Sequence, residues 1–387
     1  MESEISGESH MKQIALAFPM GVSHLERVAY GIRRYSRERG NWQLITNPEK
    51  HILEISQLAN WKGDGVIGFI NTHEEAALIK KMNIPAVNLS GALEKSPIPR
   101  VRANYYEMGC MGAEHLISRG FENFAYYGIK DVWYAQEIGR GFKDTVDDFG
   151  KKFSKYEAES TLSGNWSGGD ENLVKWLREL PKPLALQAAH DPRALEVLQT
   201  CIRNDIKVPE ELALLGTNND GITCELAQPT LSSIPRDGEQ IGYEAARLLD
   251  RLINGGTAPA EDIVISPIKV VDRESTAYLA LKDPDLLRAV QYIKKNIDKQ
   301  INVNTICQYV SRSRRWLEYS FKKEMNMSPL EFITQTRVNK AKEFLSDSQN
   351  FKLSAVAYMS GFSSTDQMNK AFKKFYTKSA RHFRASN

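Results

Sequence analysis

Between residues 12 and 271, short continuous apolar runs alternate with amphipathic segments, and this alternation constrains the fold more than any other feature. Runs such as Gln13–Phe18 and Gly65–Ile70 predict strands that are buried on both faces. Between them, His24–Arg39 repeats its apolar residues at the spacing of a helix. Because the strand–helix unit recurs, we expect a doubly wound α/β fold built on parallel sheets.

The same pattern continues along this part of the chain. Further strands are predicted at Trp42–Ile45, Pro85–Leu89, Phe124–Tyr127, Ala185–Ala188 and Leu212–Leu215, and further helices at His51–Trp61, His73–Met82 and Tyr105–Gly120. The 260 residues from 12 to 271 exceed what one such sheet needs, so we expect two lobes. The first lobe is predicted at about 12–104 and 255–271, the second at about 105–242, with the chain crossing back near 243–254. Ligands of such folds bind outside the carboxyl ends of the strands, which here means the cleft between the lobes.

The composition changes after Val271. We predict a linker at 272–282 and a helical domain at 283–387, where Asp283 is a suitable N-cap and Pro284 fits the first helical turn. Residues 283–387 contain 19 Lys and Arg against 9 Asp and Glu, a charge of +10, whereas the preceding residues carry −7. A compact basic segment joined to an acidic body is typical of a nucleic-acid-binding protein.

Two stretches of this basic segment share one design, a short helix, a tight turn and a second helix. In the first, Val303–Val310 precedes a turn at Ser311–Ser313, with Ser313 as N-cap. In the second, which spans Leu353–Lys374, the apolar residues Val356, Ala357 and Met359 precede a turn at Gly361, and Ser363 or Ser364 is the cap. Each second helix ends in Phe-Lys-Lys, and a long helix is predicted between the two stretches at Pro329–Leu345. The all-α domain is therefore predicted to contain two helix-turn-helix units.

In a helix-turn-helix unit, the second helix enters the major groove of double-stranded DNA. The predicted groove-facing residues are Arg314, Arg315, Glu318 and Tyr319 in the first unit and Thr365, Asp366, Asn369 and Lys370 in the second. Arginine pairs with guanine through two hydrogen bonds, and asparagine pairs with adenine in the same way. Phosphate contacts are predicted for Lys322, Lys323, Lys373 and Lys374.

The basic segment resembles the AraC family of transcription regulators over about Leu286–Arg384. The motifs that carry the resemblance are Leu317, Phe321-Lys322-Lys323 and Ser328-Pro329, and then Ala357, Gly361-Phe362, Phe372-Lys373-Lys374 and Phe383-Arg384. The chain departs from the family at three positions. Asn326 and Thr377 replace the glycine after each Phe-Lys-Lys, and Ala380 replaces the family's second proline.

The preceding domain resembles the LacI/GalR-type sensors, which are related in fold to periplasmic binding proteins. The resemblance includes Gly63-Asp64-Gly65-Val66-Ile67, Phe124-Ala125-Tyr126-Tyr127-Gly128, Val208-Pro209-Glu210, Leu231-Ser232-Ser233-Ile234 and Gly242-Tyr243-Glu244-Ala245-Ala246. A sensor of this type joined to an AraC-type domain resembles the xylose-responsive branch of that family. The resemblance implies gene activation controlled by a small sugar, xylose or a relative, by a homodimer bound to direct-repeat half-sites, with RNA polymerase as a further partner and no cofactor or metal.

Polar and aromatic residues at the predicted strand ends are candidates for holding a sugar. They are Asp191 and Arg193, which match the family's Asp-x-Arg, then Asn218, Asn219, Asp220, Trp133, Tyr134 and Arg140. Other interpretations stay open, since Asp191 can cap a helix, residues 218–220 can form an ordinary turn and Trp133 can serve packing alone. Sugar-binding relatives usually carry Asp at the position of Asn218 and Arg at that of Ile138.

Other classes of protein are weighed against the same residues. The sequence has no Walker loop, GxGxxG, HExxH or Gly-x-Ser-x-Gly motif, so we expect no enzyme. A transport-type sugar-binding protein needs an export signal, and the polar, acidic start of this chain predicts the cytoplasm instead. The four scattered cysteines are predicted to be reduced core residues. A regulator whose α/β domain serves only dimerisation remains an alternative.

Overall fold

The structure is a computed structural model that describes residues 11–39, 42–47, 51–159, 171–281, 283–325, 327–346, 351–376 and 379–381. The chain divides into two units, which we call the sensor unit (1–117 and 121–278) and the helical unit (118–120 and 279–387). Asn326, Thr377, Phe383 and Arg384, which enter the predictions above, lie outside the described residues.

Within the described residues, the secondary structure follows the predicted alternation. The strands are β1 (Lys12–Ala17), β2 (Trp42–Ile45), β3 (Gly65–Gly68), β4 (Ala86–Asn88), β5 (Val101–Ala103), β6 (Asn123–Ile129), β7 (Lys152–Ala158), β8 (Leu184–Ala188), β9 (Leu212–Asn218), β10 (Ser232–Pro235) and β11 (Ile263–Ile265). The sensor helices are α1 (Ser23–Arg39), α2 (His73–Met82), α3 (Tyr105–Ile117), α4 (Trp133–Asp148), α5 (Glu171–Glu179), α6 (Asp191–Arg203), α7 (Gly221–Leu226) and α8 (Gly238–Ile253). The helical unit has α9 (Pro284–Lys295), α10 (Val303–Val310), α11 (Arg314–Met325), α12 (Pro329–Ser346), α13 (Leu353–Met359) and α14 (Thr365–Tyr376).

The sensor unit has two lobes, each built on a parallel sheet. In lobe 1 the strand order is β2-β1-β3-β4, and a parallel bridge between Asn88 and Arg100 connects this sheet to the pair β5-β11. In lobe 2 the order is β10-β9-β8-β6-β7. Strands β3, β8 and β9 are buried along their whole length because helices cover both faces. The predicted α/β class is therefore confirmed.

Glycines allow the main helices of each lobe to approach backbone to backbone. A Cβ atom at Gly242 of α8 would lie 2.0 Å from the carbonyl oxygen of Val28 in α1. In lobe 2, a Cβ atom at Gly109 of α3 would lie 2.0 Å from the carbonyl oxygen of Ile138 in α4. No side chain larger than hydrogen fits at either crossing without moving a helix, since interiors are close-packed.

The crossings between the lobes differ from the prediction. The chain leaves lobe 1 after β5, as expected, but it returns at residues 236–237 and not near 243–254, because α8 packs along its whole length on α1. A third crossing follows β11, where Val271 pairs with Ser233 of β10. The predicted helix at His51–Trp61 is also wrong, since only one 3₁₀ turn forms there, at Ile55–Leu58.

The predicted linker at 272–282 is wrong over its first part. Ser275 and Thr276 are fully buried against lobe 2. The hydroxyl of Ser275 donates to the carbonyl oxygen of Leu214 at 2.6 Å, and the hydroxyls of Thr276 and Ser232 lie 2.7 Å apart. Residues 272–278 therefore belong to the sensor unit, and the helical unit begins at Leu279. Polar residues in a short connection are typical of a linker, but here the Ser275 hydroxyl forms hydrogen bonds with buried backbone groups of lobe 2.

The helical unit confirms the predicted pairs of helices and their caps. The Asp283 carboxylate accepts from the backbone N–H groups of Asp285 and Leu286, and the Ser313 hydroxyl accepts from that of Trp316 at 3.2 Å. Of the two serines proposed for α14, Ser364 is the cap, because its hydroxyl accepts from the backbone N–H of Gln367. One core gathers α9, α10, α11 and the start of α12 around residues such as Leu317, and a second packs the end of α12 against α13 and α14.

Two remaining features concern the cysteines and the membrane. Cys201 and Cys224 are buried in lobe 2, whereas Cys110 and Cys307 are half-buried, and all four are free thiols. In the part of the chain that the structure describes, no helix combines the length and the apolar character that crossing a membrane requires.

Candidate functional site

A cavity of about 240 Å³ lies in the sensor unit where the carboxyl ends of both sheets meet. At about 30 Å³ per water molecule this volume corresponds to roughly eight waters, the scale of one monosaccharide. Lobe 1 lines it with Val22, His24, Phe69, Asn71, Leu89, Ser90, Gly91 and Ala92, and lobe 2 and the crossing with Tyr105, Tyr134, His190, Asp191, Pro192, Asn218, Asp220 and Arg236. The cavity is therefore where the topology predicts a ligand site.

Asp191 is the most deeply buried carboxylate of the cavity wall. Its Oδ1 accepts from the Ser233 hydroxyl at 2.6 Å and its Oδ2 from the backbone N–H of Asp220 at 2.7 Å. Burial raises the pKa of this carboxyl to about 7, against the lowering effect of those hydrogen bonds. The cap of α6 is instead His190, whose Nδ1 accepts from the backbone N–H of Arg193. Asp191 thus holds the loop after β9 and does not cap the helix.

The loop after β9 has an unusual backbone. Asn218 and Asn219 have φ angles of 102° and 52°, a conformation that asparagine tolerates better than other side chains. The buried Oδ1 of Asn218 has no hydrogen-bond partner among the residues that the structure describes. Because a buried acceptor without a donor is costly, this atom is suited to accept a hydrogen bond from a ligand hydroxyl. In an ordinary surface turn, this oxygen would be exposed to water and not buried without a donor.

The cavity brings together four of the predicted ligand residues, all from lobe 2, namely Tyr134 at the start of α4, Asp191, Asn218 and Asp220. Asn219 lies beside the cavity but does not line it. Its backbone N–H donates to Ser233 at 2.9 Å, and its Oδ1 accepts from the guanidinium of Arg273 at 2.9 Å. Asn219 therefore connects the loop after β9 to β10 and to the segment that follows β11.

Arg193, Trp133 and Arg140 do not line the cavity either. The buried guanidinium of Arg193 pairs with Glu196 at 2.8 Å and so points along α6. The indole of Trp133 packs under two arginines of lobe 1, in line with the packing alternative. Arg140 is exposed on α4 and pairs with Glu137 at 2.7 Å. Trp133 and Arg140 follow a strand end, but the rotation of α4 about its axis directs both side chains away from the cavity.

Several cavity residues escaped the sequence analysis, above all His24 and Arg236. His24 follows β1 and Arg236 follows β10, so both lie beyond a strand end like the predicted candidates, but no strand was predicted at Ser232–Pro235. Burial, with smaller contributions from Arg236 and His190, lowers the pKa of His24 to about 3. Burial, and then the charge of Arg193, lowers the pKa of His190 to about 4. Both imidazoles are therefore neutral at neutral pH.

Hydrogen bonds across the cavity join the two lobes. The Ser23 hydroxyl at the start of α1 donates to Oδ1 of Asp220 at 2.8 Å. The backbone N–H of Tyr134, at the start of α4, donates to the carbonyl oxygen of Gly91 at 3.0 Å. These contacts show that the lobes meet around the cavity through polar groups, which is the arrangement a closing cleft requires.

The first DNA-reading candidate, α11, exposes all six of its predicted contact residues. Arg314 is held by Glu318, with 2.9 Å between its Nε and Oε1. Arg315, in contrast, makes no side-chain hydrogen bond or ion pair with any residue in the described ranges. Tyr319 is 63% exposed, although it is aromatic. Arg315 is thus the guanidinium of this helix that is available to a base edge.

In the second DNA-reading candidate, α14, one of the predicted base-contact residues is already hydrogen-bonded within the protein. Asp366, Lys370, Lys373 and Lys374 are exposed, and Thr365 and Asn369 are half-buried. The Oδ1 of Asn369 accepts from the backbone N–H of Ala380 at 3.2 Å. Proline, which the family carries at that position, has no such N–H. The departure at Ala380 therefore gives Asn369 a structural partner that competes with its predicted pairing to adenine.

Comparisons with known proteins agree with this division of the chain. Residues 113–276 match the family model described as a periplasmic binding protein-like domain. Residues 306–386 match the model described as a helix-turn-helix domain. The first match begins within α3 and runs through the rest of lobe 2, α8 and β11, and the second begins within α10 and runs through the second helix-turn-helix unit.

Three relatives align over almost the whole chain. The xylose operon regulatory protein of Escherichia coli (strain K12) is 28% identical over 97% of this chain and 97% of that protein. Its counterpart from Haemophilus influenzae is 28% identical over 96% of this chain and 98% of its own length. The solved structure of the xylose-binding transcription activator XylR is 27% identical, covers 98% of this chain and 99% of that one, and superposes with a TM-score of 0.63. The first two are operon regulatory proteins and the third is a transcription activator.

Proposed function

We propose that this chain, an AraC-type transcription regulator with a periplasmic-binding-protein-like sensor, activates genes of sugar catabolism when a small sugar, xylose or a relative, binds in its cleft. One observation carries the proposal. The cavity takes side chains from both lobes and holds buried polar atoms without partners among the described residues, including Oδ1 of Asn218, in a chain that also has two helix-turn-helix units. The similarity to xylose operon regulators supports the same assignment.

The proposed mechanism is a shift between conformations of the sensor. A sugar that contacts both lobes binds the closed cleft better than the open one and so raises the closed population. The closed sensor then favours the DNA-bound form of a homodimer, whose helix-turn-helix units occupy direct-repeat half-sites in the cytoplasm. RNA polymerase is the proposed partner at the promoter. The DNA contacts are those predicted on α11 and α14.

The test combines ligand binding with promoter binding on the full-length protein. We expect one pentose or hexose to raise the melting temperature of the sensor unit, since a ligand that binds only the folded state stabilises it. The same sugar should strengthen binding to the promoter region of a neighbouring sugar-catabolism operon. A protein that binds this DNA but responds to no sugar would support the alternative, an α/β domain that serves only dimerisation.

Arg315 should decide sequence specificity more than Arg314. For R315A we expect specific operator binding to weaken by about 1–3 kcal/mol, the usual contribution of a bidentate arginine–guanine pair, with a smaller loss on non-specific DNA. R314A should cost less, since Glu318 already holds that side chain. R288A, in the exposed ion pair with Asp285 on α9, is the control. Titration of operator and scrambled duplexes at fixed salt measures both affinities. Equal losses on both duplexes would make Arg315 a phosphate contact.

A further inference from the structure

Trp133, at the start of α4 in lobe 2, packs against two guanidinium groups of lobe 1. The guanidinium carbon of Arg100 lies 5.0 Å from the centre of the Trp133 ring, and that of Arg102 lies 4.9 Å from it. None of these three residues lines the cavity of about 240 Å³. Because an aromatic face attracts a cation at such distances, the contact joins the two lobes without using the ligand site.

Lobe 1 fixes both guanidinium groups by its own contacts. Oδ2 of Asp262, just before β11, accepts a hydrogen bond from Nε of Arg100 at 2.9 Å and from Nε of Arg102 at 2.7 Å. The side chain of Arg100 is 2% exposed, and its Nη1 and Nη2 also donate to two backbone carbonyl oxygens of lobe 1 at 2.6 and 2.8 Å. Since this platform is ordered before the indole reaches it, little further entropy is lost when the lobes approach.

The charges of the platform favour an aromatic partner. Among the described residues, Asp262 is the carboxylate that pairs with both Arg100 and Arg102, so two positive groups share one negative group. The face of an indole carries partial negative charge and is the best aromatic partner for a cation. A leucine at position 133 would cover the same surface but would not interact with its charge.

We propose that Trp133 is a positioning residue of the sensor, an inter-lobe clasp that stabilises the closed cleft and so raises the affinity for the effector without contacting it. The apparent affinity of a ligand falls with the fraction of protein in the binding-competent conformation. The backbone N–H of Trp133 also donates to the carbonyl oxygen of Ala92 in lobe 1, at 3.3 Å, and stabilises the same approach of the lobes. The inference rests on the proposed function and adds a determinant of affinity outside its cavity.

The separation of the lobes without ligand is the direct test. Double electron–electron resonance on the full-length protein measures it between nitroxides at E74C of α2 and D148C of α4, which are exposed positions. Cys110 and Cys307 are changed to serine in every sample. W133L should add a population with longer distances, because leucine does not hold the guanidinium groups. W133F, which keeps a smaller aromatic face, should give a distribution between those of W133L and the unsubstituted protein.

The affinity for a sugar is the second measurement. In isothermal titration with D-xylose, the proposed effector, W133L should bind roughly threefold to thirtyfold more weakly, the range expected when a partly desolvated cation–π contact is lost from the closed conformation. Y106L is the matched control, since the ring of Tyr106 lies 4.3 Å from the guanidinium carbon of Arg140 within lobe 2. It should change neither the affinity nor the lobe separation. Thermal melting verifies that each variant is folded.

The outcomes distinguish this inference from the proposed function. Weaker binding in W133L with an unchanged lobe separation would mean that Trp133 acts through Tyr105 of the cavity wall, whose ring centre lies 5.8 Å from its own, and would overturn the clasp. An unchanged affinity for D-xylose would overturn it too. If D-xylose does not bind at all but the lobes separate in W133L, the proposed effector fails, while Trp133 still holds the lobes together. Longer separations with weaker binding, and neither in Y106L, would establish the inference.

Discussion

Replacing Gly361 with alanine should unfold the second helix-turn-helix unit and abolish operator binding. Gly361 has a φ of 81°, and it closes α13 while the backbone N–H of Phe362 donates to Ala357. A Cβ atom there would lie 2.0 Å from the carbonyl oxygen of Ile297 and 2.8 Å from Nε of Arg337. The left-handed backbone costs about 1–2 kcal/mol for a residue with a side chain, and overpacking adds about 1–3 kcal/mol. We expect a total loss of roughly 2–5 kcal/mol.

Calorimetry of the full-length protein measures this effect in the transition of the helical unit. G255A is the matched control, because Gly255 has a φ of 78° and a Cβ atom added to it would meet nothing within 4 Å among the described residues. It should therefore show the backbone cost alone, and in the sensor unit. If G361A and G255A lost the same free energy of unfolding, the close approach to Ile297 would not be what requires glycine at position 361.

The second large effect is a pH dependence of sensor stability that originates in Asp191. The pKa of this buried carboxyl is about 7 in the folded protein, against an ordinary value of 3.8. Between these values the unfolded chain has lost the proton while the folded chain keeps it. Stability therefore falls as pH rises through this window, and by about 4 kcal/mol for a shift of this size. Well below pH 3.8 both states are protonated and the penalty is absent.

D191N removes the ionisation and tests this expectation. The difference in free energy of unfolding between D191N and the wild type should move in favour of D191N by up to about 4 kcal/mol from pH 4 to pH 8. His24 and His190 also titrate on unfolding, but they do so in both proteins and cancel in the difference. D148N, at an exposed position of α4, is the control. A difference that stays constant across this range would mean that burial does not perturb Asp191.

Local patterns predicted the elements of the helical unit closely. The short helix at Val303–Val310, the helix before Gly361, the capping by Asp283 and Ser313, and the turn at Gly361 all agree with the structure. Each of these features depends on residues within a few positions of one another, where backbone geometry and hydrogen-bonding capacity act directly. The charge asymmetry likewise indicated the nucleic-acid-binding segment without any knowledge of packing.

Long-range contacts decided the points on which the sequence was misleading. The segment at 272–278 was predicted as a linker, but in the structure its serine and threonine are hydrogen-bonded to Leu214 of β9 and Ser232 of β10. Arg140 and Trp133 follow a strand end, but the rotation of α4 sets where they point. The sequence did not indicate Arg236 as a cavity residue. Its buried Nε has no hydrogen-bond partner among the described residues, and this is known only from the positions of all its neighbours.

The sequence by itself thus determined the α/β class of the first domain and the two helix-turn-helix units, since these follow from periodicity, charge and short motifs. The tertiary structure alone decided which polar groups share the cavity, which of them are already satisfied, and that Asn369 has a backbone partner at Ala380. The physical reason is that hydrogen-bond satisfaction and burial are properties of groups brought together from distant parts of the chain.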